Sequence, residues 1–201
     1  QSYDFVAAFV GTVAAAGCEV FIVHARNAWL QGLSPKQNRE LPPLRYDIVH
    51  RLKREFPQLG IVVNGGIADD AQIAEQLRHV DGVMLGRWPY HDPWAMAAWD
   101  QRFLDAPAPA LAPSRDDVQA AMVDYMARHV AAGGAWPQVA RHMMGLWNGL
   151  PGARLRRRTW SDHRLKALPP HEVARLADAA AAAATGAEAI GSDTAGKPAT
   201  T

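Results

Sequence analysis

Apolar side chains recur at Phe5, Phe9, Val10 and Val13, the spacing of one helix face, and Gly17 supplies a stop, so the pattern predicts a helix over 4–16. The period then changes. Val20 to Val23 is a short β-branched and aromatic run ending at His24, which predicts a strand, and the polar, Gly- and Pro-containing stretch to Pro43 predicts a long loop. Ile48, Val49, Leu52 and Phe56 mark a helix over 46–56 that Pro57 and Gly60 end. Ile61 to Val63 is a second buried strand, running into Asn64, Gly65 and Gly66. Asp69 caps a predicted helix through His79, Asp81-Gly82 turns the chain, and Val83 to Leu85 is a third strand closed by Gly86-Arg87. Asp92-Pro93 opens a further helix with proline at its first position.

Helices alternating with short, continuously apolar strands are the pattern of parallel strands covered by helices, an α/β fold. Polar and glycine residues follow the C-terminal end of each strand: His24, then Asn64-Gly65-Gly66, then Gly86-Arg87. That edge is where barrels and open α/β sheets both bind ligands. In a (β/α)8 barrel the loops after the last two strands commonly hold a phosphate on backbone N–H groups, and Gly-Gly and Gly-Arg suit so close an approach. Three strands do not close a barrel, and the chain starts in mid-pattern on a helix that normally follows a strand. The expectation is therefore the C-terminal part of a TIM barrel, residues 1–104, lacking about five βα units.

Residues 105–113, Asp-Ala-Pro-Ala-Pro-Ala-Leu-Ala-Pro, predict a stiff linker. A helical domain over 114–176 follows: Ser114 with Asp117 resembles a capping box, Val118, Met122, Tyr125, Met126 and His129 have helical spacing, and 139–150 and 152–160 suggest two more helices. Residues 177–201 turn to alanine, then Gly, Ser, Thr and Pro, predicting a helix that frays into a disordered tail.

Composition narrows the function classes. Apolar residues at 49% and charged ones at 20% describe a globular chain, and the apolar runs are far short of a membrane span, so the cytoplasm is the default compartment. The single cysteine, Cys18, excludes an internal disulfide and a multi-thiolate zinc site, and no His/Asp/Glu cluster has metal-ligand spacing, so no metal is expected. The net charge of +1 hides two basic blocks: seven Lys/Arg against two acids over 24–54, and seven against one over 141–166. Seventeen of the 21 basic residues are Arg, whose planar fork suits phosphate and stacks on bases, so a nucleic-acid partner competes with a plain solvated surface.

The stretch from His24 to Tyr46, HARNAWLQGLSPKQNRELPPLRY, closely resembles the tRNA-dihydrouridine synthase family in its A-type branch, which acts on D-loop positions 20 and 20a. Three further motifs in matching order carry the same resemblance: Val62-Val-Asn-Gly-Gly-Ile67; Leu85-Gly-Arg87 with Tyr90-His-Asp-Pro93; and Arg141-His-Met-Met-Gly-Leu-Trp147 with Pro151-Gly-Ala-Arg154. The resemblance implies an FMN-binding (β/α)8 barrel followed by a small helical tRNA-binding domain, in a monomeric enzyme that reduces uridine with NADPH through bound flavin. By motif position it assigns FMN contacts to His24, Asn64, Gly65, Gly66, Gly86 and Arg87. Lys36 and Arg39 in the long loop, and Arg154 and Arg157 at i, i+3 on one helix, are assigned to tRNA.

In the family mechanism a cysteine on an early barrel loop protonates C5 of the uracil. Cys18 precedes a strand, which puts it at the opposite edge, so it is read as a packed small residue and the acid cysteine is expected upstream of Gln1. This chain alone is accordingly expected neither to keep FMN nor to turn over. Trp136, Trp147 and Trp160 are read as packing residues rather than base-stacking platforms. Two other readings stay open: a different FMN-barrel oxidoreductase, which gives no reason for the Arg-rich helical domain, and a non-catalytic RNA-binding module.

Overall fold

The computed structural model describes residues 3–27, 29, 32–109 and 113–192, with 185–192 as backbone only. The chain divides into two compact units, at Trp88/Pro89. Of the proline-alanine stretch 110–112, and of the expected tail 193–201, lie outside the described residues.

The first unit alternates as its hydrophobic period dictates: α1 (Tyr3–Ala15), β1 (Val20–His24), α2 (Pro35–Asn38), α3 (Tyr46–Glu55), β2 (Gly60–Asn64), α4 (Asp70–Leu77) and β3 (Gly82–Met84). The strands form one parallel sheet in the order β1-β2-β3. Gly17 ends α1 with φ +100°, and Asp69 caps α4 by accepting the Gln72 N–H at 2.7 Å. The predicted long loop holds a helix of its own, α2, because Ser34 and Gln37 make a reciprocal capping box and proline occupies its first turn.

Strand side chains alternate between faces, and the register sorts them. Phe21 pairs with Ile61, and Val23 with Val63 and Val83, on the face whose buried core continues into Val10, Val49, Leu52 and Ile73 of the helices. Val20 pairs with Gly60, Ile22 with Val62 and Gly82, and His24 with Asn64 and Met84 on the other face. That face is bare: Val20 is 61%, Ile22 59% and Met84 44% exposed. The N-terminal edge is tied by Asp81, whose Oδ2 accepts the Ile61 N–H and pairs with Lys53 Nζ, each at 2.8 Å.

Helices α1 and α3 are joined where Tyr3 Oη donates to Glu55 Oε2 at 2.7 Å and the Arg51 guanidinium lies 3.7 Å over the Tyr3 ring. Burial, then the Glu55 carboxylate, pushes the Tyr3 phenol from 10.0 up to about 12. A phenol kept neutral when folded but free to ionise when unfolded supports the fold fully below the unfolded value, and that support is lost as pH rises. Between pH 10.0 and about 12 the wild-type chain is expected to lose thermal stability more steeply than Tyr3→Phe. Parallel melting curves for the two proteins across that window would remove the Tyr3 contribution.

The second unit is helical: a 3₁₀ stretch (Pro93–Ala98), α6 (Trp99–Phe103), α7 (Arg115–Ala131), α8 (Pro137–Ala140), α9 (Ala153–Trp160), a 3₁₀ turn (His163–Leu165) and α10 (Pro170–Ser192). The short helix α5 (Arg87–His91), which the pattern did not predict, follows β3. Ser114 and Asp117 cap α7 reciprocally, so Asp serves where Glu is usual.

One expectation is corrected. Residues 141–150 are a chain of tight turns instead of a helix, with i→i+3 bonds such as Leu146 N–H to the Met143 carbonyl and Asn148 N–H to the Gly145 carbonyl. Gly149 adopts φ +79° there. The alanine-rich stretch from 177 continues α10 as helix to Ser192, and Ala177 and Ala181 are buried. A Cβ on Gly152, at the start of α9, would lie 2.7 Å from the Ala181 Cβ, so small side chains on both helices permit their close approach. The core of the unit gathers Met126, Met143, Leu146, Trp147 and Val173 around Trp136 and Trp160, whose rings meet edge to face at 5.7 Å. All three expected packing tryptophans are at most 5% exposed.

Candidate functional site

His24, Asn64 and Met84 stand in one register row at the C-terminal edge of the sheet, on its bare face. The Asn64 amide donates to Met84 Sδ at 3.2 Å, fixing its orientation. Directly beyond, Gly65 and Gly66 take φ +117° and +76°, values that exact a strain from any other residue. Space gives the same answer: a Cβ on Gly65 would sit 3.1 Å from His24 Cε1, and one on Gly66 2.5 Å from Leu44 Cδ1. Among the described residues the N–H groups of Gly65, Gly66 and Gly86 donate to no backbone acceptor. Gly86 itself faces open space.

Several residues that shape this edge were not singled out from sequence. Tyr46 Oη donates to the Gly65 carbonyl at 2.6 Å and so sets the turn; burial pushes its phenol up, with the charge of Arg26 opposing. Arg26 donates to the carbonyls of Glu40 and Pro42, and an antiparallel bridge joins Arg26 to Leu44, so the loop after β1 is folded back on the strand end. Both Tyr46 and Arg26 lie within the 24–46 motif, but nothing local in that stretch marks them as structural supports of a glycine pair distant in sequence.

Arg87 is already partnered: its Nη1 pairs with Glu40 Oε1 at 2.9 Å. Both side chains are well exposed, at 58% and 40%, so the pair is weak enough for a dianion to displace the carboxylate. A cleft of about 90 Å³ beside His24 and Arg26 is far smaller than a cofactor pocket. Left-handed glycines with unclaimed N–H groups and an exchangeable guanidinium fit a phosphate-bearing group at this edge.

Cys18 lies ahead of β1, at the opposite edge, with its Sγ 3.4 Å from the Val20 carbonyl oxygen. It shares no edge with His24. Lys36 on α2 and Arg39 just past it are both exposed. In the second unit Arg154, Arg157 and Arg158 are exposed on α9, whereas Arg156 turns inward, pairing with Asp178 and lying 4.6 Å over the Trp147 ring. Asp162, the acid nearest α9 in sequence, is taken by Arg164 at 2.7 Å. The four arginines of α9 therefore divide into one structural and three surface cations. Among the described residues no group of three or more His, Cys, Asp or Glu is placed to hold a metal, and no helix is long and apolar enough to cross a membrane.

Parallel strands packed by helices on one face, with a glycine-lined C-terminal edge, define an α/β protein of the kind that binds small molecules at that edge. The sequence profile of the dihydrouridine synthase (Dus) family matches residues 1–186, and the chain belongs to that family. It is 48% identical over 177 residues to a tRNA-dihydrouridine(20/20a) synthase of Shewanella oneidensis, covering 88% of this chain and 52% of that protein. Similar relatives of the same name occur in Pseudomonas syringae pv. tomato, 52% identical over 154 residues (77% of this chain, 45% of that one), and in Synechocystis sp., 46% over 177 residues (88% and 52%). The chain thus spans about half the length of the curated relatives it matches.

Proposed function

We propose that this chain supplies the phosphate end of the cofactor site and part of the tRNA-binding surface of an enzyme that reduces uridine to 5,6-dihydrouridine at positions 20 and 20a of tRNA. The observation that carries the reading is the His24-Asn64-Met84 row with Gly65 and Gly66 beyond it, an edge shaped for a phosphate and open along the sheet face. The similarity to the (20/20a) synthases supports the substrate.

FMN fits this edge, and when bound and reduced by NADPH it supplies hydride to C6 of the uracil. The N–H groups of Gly65, Gly66 and Gly86 would hold its phosphate without flexible side chains, and Arg87 would pair with the dianion in place of Glu40. His24 and Asn64, the latter oriented by Met84, would contact the cofactor beside that phosphate. The bare apolar face of Val20, Ile22 and Met84 forms part of a barrel interior that excludes water from the reacting base. The thiol that protonates C5 comes from outside this chain's C-terminal strand edge, since Cys18 lies at the other. Lys36, Arg39, Arg154 and Arg157 contact the tRNA, whose phosphates fix register while a flipped-out uridine, at an unstacking cost of a few kcal/mol, enters the site. Such an enzyme works in the cytoplasm, as a monomer and without a metal.

The test is dihydrouridine formation in an unmodified tRNA transcript with FMN and NADPH, with the chain alone and with the N-terminal half of the Shewanella relative added. Product only in the paired reaction, and at positions 20 and 20a, is the expected result. Reduction elsewhere in the tRNA would overturn the site assignment, and an inactive, flavin-free pair would overturn the reading.

A further inference from the structure

The turns of 141–150 and the end of α5 enclose a cleft of about 200 Å³ within the second unit, lined by Arg141, Arg157, Asn148, Tyr90 and Gly145 among others. Its chemistry is one-sided. Two guanidinium groups face it, and no carboxylate lines it. Arg157 Nη1 donates to Asn148 Oδ1 at 2.8 Å, and the Asn148 amide in turn donates to the His91 carbonyl, so a neutral side chain anchors this cation to the backbone. Arg141 Nε donates to His142 Nε2 at 3.1 Å, and the other ring nitrogen lies 3.1 Å from Tyr90 Oη. Neutral partners thus orient both arginines and neutralise neither.

The other arginines of this unit for which a partner is described are spent differently. Arg156 is held by Asp178, Arg164 by Asp162, Arg115 by the Leu146 carbonyl and the Trp94 ring, and Arg128 lies over the Tyr125 ring. Asp92, the acid next to His91, has its Oδ1 buried and does not line the cleft. An oriented, uncompensated pair of guanidinium forks in a concavity is a receptor for a tetrahedral oxyanion. The exposed Arg154 and Arg158 on the same helix as Arg157 extend the positive charge beyond the cleft, which suits a polyanion better than a free ion.

We infer that this cleft seats one backbone phosphodiester of the tRNA, gripped by Arg141 and Arg157, with Asn148 as the positioning residue that aims Arg157. The inference rests on the proposed tRNA substrate and adds to it the place and residues of one contact.

The 201-residue chain is titrated with an unmodified tRNA transcript over a salt series, with melting curves confirming that each variant is folded. Arg141→Gln and Arg157→Gln are each expected to weaken binding about tenfold near 0.1 M salt and to reduce the slope of log affinity against log salt by about one. Asn148→Ala is expected to weaken it about threefold with the slope unchanged, because it removes orientation and no charge. Arg78→Gln just past α4, whose guanidinium is paired with Glu75, leaves both unchanged. Wild-type binding with Arg141→Gln and Arg157→Gln indistinguishable from it overturns the inference and leaves the tRNA reading standing. Failure of the wild-type chain to bind tRNA overturns the reading, and the inference with it. Variants that lose affinity for inorganic phosphate but not for tRNA also overturn the inference, since the cleft then serves a free ion.

Discussion

Mixed with FMN and cleared of free ligand, the 201-residue chain is expected to show no stoichiometric flavin absorbance at about 450 nm. Two or three charge-assisted hydrogen bonds at the glycine edge, each contributing roughly 1.5–3 kcal/mol, give at best about millimolar affinity once the cost of association is met. Tight cofactor sites bury most of the ligand, and here the ring has a single wall, the bare face of Val20, Ile22 and Met84. Adding the N-terminal half of a close relative should restore colour, because that half would cover the same face. Gly66→Ala in the complemented protein should then weaken flavin retention, since its φ of +76° strains an alanine by about 1–2 kcal/mol and its Cβ displaces the Leu44 side chain. Stoichiometric colour in the chain alone would mean that the phosphate end suffices, and the open-face argument would fall.

Gly145→Ala should unfold the second unit or melt it many degrees earlier. A Cβ at this position would lie 2.0 Å from the His91 carbonyl oxygen and 2.7 Å from its carbonyl carbon, so backbone must move, and no side chain can rotate to relieve the clash. Overpacking in a tight interior costs typically 1–3 kcal/mol and more where backbone is displaced, and this clash belongs at the upper end. The displaced segment carries Met143, Leu146 and Trp147, all at most 5% exposed. It also carries Arg141 and Asn148, so tRNA affinity should fall together with stability, unlike in Arg141→Gln. A melting temperature within a degree or two of wild type would show that the turns and α5 separate at little cost.

The glycine of Arg141-His-Met-Met-Gly-Leu-Trp147 is therefore explained by close approach. Sequence periodicity read the same stretch as a helix, because Val139, Met143, Leu146 and Trp147 recur at helical spacing. Those residues are indeed buried or partly so, but tight turns deliver them to the core. The period reported burial and not backbone conformation. The alanine stretch carries no large apolar residue, yet Ala177 and Ala181 are buried, Ala181 where Gly152 lets α9 approach α10. Small residues contribute by allowing proximity, which a search for large apolar spacing does not detect.

For the site, the sequence by itself determined the three strands, the edge at which His24, Asn64-Gly65-Gly66 and Gly86-Arg87 fall, the family resemblance and the position of Cys18 at the opposite edge. These follow from local rules: strand direction fixes which residues reach which edge, and side-chain alternation fixes the face. Only the tertiary structure decided that Tyr46 sets the Gly65 turn, that Glu40 occupies Arg87, that Arg156 is spent in the core while Arg157 is not, and that Arg141 joins Arg157 in one cleft. Each is a contact between residues 16 to 47 positions apart. Charge and residue type are properties of one position, whereas neutralisation and convergence belong to pairs, and a pair exists only once the chain has folded.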